Sequence, residues 1–170
     1  MNVLDIGEAL RDCLCGFLAD TPAGPVCRCS LYPSFDIPFD ICSREPGGDG
    51  QAAVALVRTF PSRNFPFPVD PGEFSCDYYL AAEYVLQVVR CAPKITSSGK
   101  LPTPEALDAA AAIVMADANA MRCAVSCCLD RRPFQIQSWE SFPLAGGCMG
   151  GTLNVVVQSD DVACLDLGSS

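Results

Sequence analysis

The chain has 170 residues, half of them apolar and 18% charged, with a formal charge of −9 and no histidine. This is the composition of one globular domain and not of a disordered segment, and its acidic balance excludes a protein that wraps nucleic acid, which needs clustered Lys and Arg. The missing histidine removes Ser-His and Cys-His nucleophiles, the helical zincin motif and the two-His-one-carboxylate iron site.

Residues 2–18 predict an amphipathic helix: Asn2 is placed to cap it, Asp5 and Glu8 complement its positive end, and Val3, Ile6, Leu10, Leu14, Phe17 and Leu18 keep helical spacing. The acids at this end stand where a secretory peptide would carry basic residues, and no unbroken apolar run reaches the roughly 20 residues of a membrane span. A soluble protein made in the cytosol is the expectation. ADTPAGP (19–25) ends the helix. From Val26 to Cys42 apolar residues alternate roughly, but Pro33 and Pro38 interrupt them, so the segment reads as an edge strand or two short extended pieces. EPGGDG (45–50) is a turn, and GQAAVALVRTF after it is a strand.

Residues 61–77 hold Pro61, Pro66, Pro68 and Pro71, which exclude a helix and a ladder strand, while Phe65, Phe67 and Phe74 make the loop apolar. A loop of this length in a compact domain is usually functional. Tyr78–Cys91 alternates as a strand. Thr103, Pro104 and Glu105 then open a long helix, along which Leu107, Ala111, Val114, Ala118, Met121, Val125 and Cys128 form one stripe rich in alanine. Residues 134–142 and 152–158 read as two strands joined by PLAGGCMGG. The expected fold is α+β: a single domain over residues 1–158, with an antiparallel or mixed β-sheet packed by the N-terminal helix and the long Ala-rich helix. Residues 159–170 read as an acidic flexible tail.

Twelve cysteines call for an explanation. There is no C-x-x-C knuckle, and Cys13 and Cys15 point about 200° apart on a helix, so they cannot chelate together. Cys27 and Cys29 on a strand would share a face, and with Cys42 and one further cysteine they make a zinc-thiolate binding module an alternative. The plainer reading is of small buried hydrophobes. Disulfides closed after assembly outside the cell are a third reading, with Cys27 or Cys29 to Cys42 the first pair to test. GGCMGG (146–151) precedes a strand and not a helix, so it is a hairpin loop and not a phosphate cradle. The acids fall in loose groups: Asp36 with Asp40, Asp70 with Glu73 and Asp77, and Asp160 with Asp161. None carries a sign of metal or glycosidase chemistry, and no catalytic residue, cofactor or metal is expected. Arg131 and Arg132 are assigned to the helix dipole. What remains is a protein of interactions, not an enzyme.

In order, the segments MNVLDIGEALRDCLCGFL, GQAAVALVRTFPS, VLQVVRCAP, PTPEALDAAAAIVMADANAMRCAVSCC and GGCMGGTLNVVVQ resemble tail-terminator (tail-completion, neck) proteins of long-tailed bacteriophages. The strand-RCAP join and the Gly-Gly turn are similar to those of phages infecting actinobacteria. The cysteine content and the 61–77 loop depart from that family's pattern. The resemblance implies a structural virion protein, a ring of six copies that caps the head-proximal end of the tail tube and joins it to the head-tail connector or stopper protein. It implies a virion location in the tail or neck, no membrane, and DNA passing through the lumen without specific binding. On this resemblance Arg63, Phe65, Phe67, Asp70 and Phe74 are the expected contacts to the next subunit or the tube. A head-completion or stopper protein is the neighbouring reading.

Overall fold

The structure, a computed structural model, describes residues 1–38, 44–45, 48–73, 75–94, 99–129, 131–143 and 147–164. Helix α1 (Val3–Ala19) opens with a capping box in which the Asn2 side chain accepts from the Asp5 amide and the Asp5 carboxylate accepts from the Asn2 amide. Strand β1 (Arg28–Tyr32) follows, then a short two-stranded ladder, β2 (Arg44–Glu45) and β3 (Gly48–Asp49). The long strands are β4 (Gln51–Ser62) and β5 (Tyr79–Cys91). Helix α2 (Pro104–Cys128), capped by Thr103, leads into β6 (Phe134–Ser141) and β7 (Cys148–Val162).

The main sheet has the order β1-β4-β5-β7-β6. Only the β1–β4 pair is parallel, so the sheet is mixed and the fold is α+β, a single domain as expected. Both helices lie on one side of it. Ile6, Leu10, Leu14 and Leu18 of α1 meet Val54, Tyr84, Leu86, Val88, Leu153 and Val155, and Met121, Ala124 and Val125 of α2 join the same core. Burying side chains of this size contributes about 1.5–3 kcal/mol each before the entropy of ordering them is subtracted. On the other side, Ile37 from the chain after β1 packs on Ala53, Ala55 and Val85.

Three sequence expectations change. Pro61 lies inside β4, opposite Leu80. It is tolerated because β1 covers only Gln51–Ala55, so this half of β4 is an edge. GGCMGG is not a hairpin loop throughout: β7 begins at Cys148, and Gly150 (φ +147°) is glycine because a Cβ there would lie 2.0 Å from the Val88 carbonyl oxygen. The tail does not begin at 159, since β7 runs to Val162, with Ser159 buried and its hydroxyl donating to the Leu80 carbonyl at 3.0 Å. Residues 165–170 lie outside the described residues.

Only half of the α2 stripe reaches the core. Its buried residues run from Asp117 to Val125, whereas Leu107 is 43% exposed and Met115 70%. By length and composition this helix is long and apolar enough to cross a membrane, although Asp108 and Asp117 break its apolar run. In the fold its second half is held by a buried ion pair. Arg90 and Asp117 have side chains 1% and 3% exposed, with Nε and Nη2 of the guanidinium 3.0 and 3.1 Å from the two carboxylate oxygens. Nη2 also donates to the Gly24 carbonyl at 2.9 Å.

Asp117→Ala strands this guanidinium in the interior and is expected to cost about 3–5 kcal/mol in urea unfolding. Asp108→Ala, exposed on the same helix, should stay within about 0.5 kcal/mol of the wild type.

Candidate functional site

The 61–77 segment leaves the end of β4 at Ser62 and forms a loop that its own hydrogen bonds shape. Val69 donates its amide to the Pro61 carbonyl, Phe67 donates its own to the Asn64 carbonyl, and the Ser62 hydroxyl reaches the Phe67 carbonyl at 2.8 Å. These bonds satisfy backbone groups in the described part of the segment past Ser62, which has no ladder partner in the sheet. At its base Arg58 pairs with Glu83 at 2.6 Å and lies over the Phe60 ring at 5.2 Å. A disulfide from Cys76 to Cys164, with Cα atoms 4.7 Å apart, fastens the segment's far end to the chain beyond β7.

Of the five contact residues expected from the resemblance, Arg63, Phe67 and Asp70 share one hollow of about 170 Å³ with Asn64, Val69 and Glu73. Phe65 is half-buried and takes no part in that hollow, while Phe67 is 64% exposed at its rim. Phe74 lies outside the described residues. The loop therefore does not fold all its phenylalanines back onto the core.

Two further disulfides tie down the helices. Cys13 of α1 joins Cys128 of α2, and Cys15 joins Cys29 of β1. The two α1 cysteines face opposite ways, as their spacing requires, and each has its own partner. This corrects the reading of these cysteines as plain buried hydrophobes. It also corrects the pairing of Cys29 with Cys42: Cys29 is taken by Cys15, Cys27 keeps a thiol that donates to the Gly50 carbonyl at 2.8 Å, and Cys42 lies outside the described residues. With the Cys29 sulfur committed, the zinc-thiolate set loses a donor. Among the described residues no three acidic, Cys or His side chains converge on a metal position.

The acids at 160 and 161 are structural. Asp160 receives both Nη1 and Nη2 of Arg132, at 3.1 and 2.7 Å, and also meets the Met1 amine. Arg132 therefore serves β7 and not the dipole of α2. Asp161 accepts the Val3 amide at 2.8 Å. The Arg132 hydrogen bonds, with the amine second, hold the Asp160 carboxyl well below the usual carboxylate range. Tyr84, whose hydroxyl donates to the Val3 carbonyl, is pushed up by burial and then by Asp161. Spacing arguments overlooked the Arg90–Asp117 pair, although a signal was present. Arg90 falls in phase with Leu86 and Val88 on β5, and Asp117 in phase with Met121 and Ala124 on α2.

Because its folded-state carboxyl is depressed, Asp160 adds stability that is complete above about pH 5, begins to fade as pH falls through the unfolded carboxylate value of about 4, and is lost only as pH falls through the lower folded value. Asp160→Asn should lower the melting temperature slightly at pH 7, and the gap to wild type should narrow steadily in melts taken from about pH 5 downward. Replacing Cys76 and Cys164 by serine should cost about 2–5 kcal/mol and speed tryptic cleavage after Arg63, read by limited proteolysis.

No protein-family model matches the chain, and no curated protein matches it. Among solved structures it is similar to the sheath/tube terminator of an extracellular contractile injection system, PVC, in the extended state. The two are 13% identical with a TM-score of 0.40, over 100% of this chain and 62% of the other. The chain thus spans less than two-thirds of that protein's length.

Proposed function

We propose that this protein is a structural component of a phage tail. Copies of it form a ring, with six the expected number, that closes the head-proximal end of the tail tube and presents a surface to the head-tail connector. The observation that carries this reading is the 61–77 loop. Held by its own hydrogen bonds and a disulfide, with Phe67 64% exposed, it is arranged to meet another surface and not to fill its own core. The resemblance of its segments, in order, to tail-terminator proteins supports the end of a tail tube as that surface. The disulfides among the described residues fit a particle that functions in oxidising surroundings outside a cell. The net charge of −9 suits a passage for DNA, which like charge keeps from adhering.

The test is tube assembly from the cognate tube protein, with lengths scored by electron microscopy. Wild-type protein should bind one end of each tube and stop its growth. Phe67→Ala should lose at least about tenfold in tube binding, a change of about 1.4 kcal/mol, with an unchanged thermal melt because the side chain lies outside the core. Protein that binds purified connector and leaves tube growth untouched would assign it to the head-completion side of the neck.

A further inference from the structure

The main sheet ends on both sides in an unpaired strand. Among the described residues nothing pairs with the outer side of β1 or of β6. Such edges invite another strand, and proteins that must avoid this place lysine or proline on them. Here β1 (RCSLY) and β6 (FQIQSWES) contain neither, and the proline at 33 comes only after β1 has ended.

We propose that the β1 edge of one copy pairs antiparallel with the β6 edge of the next, with Arg28 opposite Glu140. The pairing rests on the ring reading and says which surfaces make the ring. Strand direction allows it. β1 runs parallel to β4, and three antiparallel steps from β4 to β6 reverse the direction, so two copies in the same orientation present β6 beside an antiparallel β1. The contact uses two different patches and is therefore heterologous, as a ring requires.

Register follows from the sides of the sheet. On β1, Cys29 and Leu31 face the helices, so Arg28 and Ser30 face away. On β6, Trp139 faces the helices, and Ser138 and Glu140, in register with Asn154 and Thr152, face away. Setting Arg28 against Glu140 places Cys29 against Trp139 and Ser30 against Ser138, every pair on one side. A slip of one residue puts Arg28 against Trp139 and mismatches every pair. The bulge of β6 lies between Ile136 and Ser138, so the regular stretch that begins at Ser138 is the part this register uses.

Charge selects among the registers that remain. Copies of a chain carrying −9 repel one another, and these edges offer the opposite signs that offset it. Arg28 and Glu140 are exposed, and neither is among the ion pairs of the described residues. Beside β6 an apolar hollow of about 360 Å³, lined by Leu107, Val114, Met115, Trp139, Phe142 and Met149, opens on the helix side. A neighbour's α1, which packs over its own β1 and β4, would come alongside that hollow.

The experiment is sedimentation of the full chain, unreduced, over a concentration series, with Arg28→Glu, Glu140→Arg and an equimolar mixture of the two variants. The wild type should form a multimer. Each single variant sets like charges opposite each other and should need at least about tenfold more protein to assemble. The mixture should recover wild-type assembly, because alternating copies restore every contact. Circular dichroism melts at a concentration below that of assembly should be unchanged, since both side chains are exposed. Single variants that assemble like the wild type, a mixture that stays dissociated, or a wild type monomeric at every concentration would each overturn the pairing. Tube capping is scored separately. A wild type that caps tubes while Arg28→Glu assembles normally sinks the edge pairing alone. A protein that assembles by this edge and ignores tubes sinks the tail reading alone.

Discussion

The position of α2 depends on one buried pair of charges. Taking a guanidinium and a carboxylate out of water costs several kcal/mol for each ion, and the cost is recovered only if their hydrogen bonds are met. Arg90 meets both Asp117 oxygens, and its Nη2 and Nη1 also reach back to the Gly24 and Pro25 carbonyls in the connector after α1. One side chain on β5 thus fixes where α2 lies along the sheet and where the chain turns between α1 and β1. The first half of α2 then overhangs the sheet, and the apolar hollow beside β6 is a consequence of that placement. The exposed apolar residues at this edge result from a constraint at the centre.

The periodic parts of the fold were legible in the sequence. The steps of 3 and 4 in α1 and α2, and the alternation of β4 and β5, locate those elements to within a few residues because each buries one side. What was not legible depends on contacts between distant residues. Arg90 and Asp117 each lie on the core side of their own element, but a single charge in an apolar stripe reads as a boundary until its partner is known. The start of β7 was hidden by glycines that read as a turn. They are there because β5 and β6 come too close for a side chain.

The candidate site was legible as composition and not as geometry. Phe65, Phe67 and Phe74 mark the 61–77 loop as apolar, yet only folding decides that Phe65 is half-buried and Phe67 exposed. The cysteines behave likewise. Their spacing shows that Cys13 and Cys15 cannot share a partner, while the choice of Cys128 and Cys29 is made by packing α1 against α2 and β1. The Cys15–Cys29 bond also bears on β1 itself. A five-residue parallel edge strand has few hydrogen bonds of its own, and tying it to α1 holds its outer side ready for another strand before any partner arrives.

The loop and the two open edges occupy different parts of the domain, and this separation links the two proposals. The edges lie at the sides of the sheet, and the loop lies at the strand ends, where β4 passes into β5. Copies joined edge to edge in one orientation carry every 61–77 loop on the same face of the assembly. In the proposed ring the closing contact would therefore leave Phe67 uncovered and repeat that side chain once per subunit around one rim. A repeated set of weak apolar contacts gains strength through effective concentration, because each bound subunit holds the next in place. On this account the single Phe67 hollow, too small to hold a partner alone, becomes a docking surface only after the edges have paired.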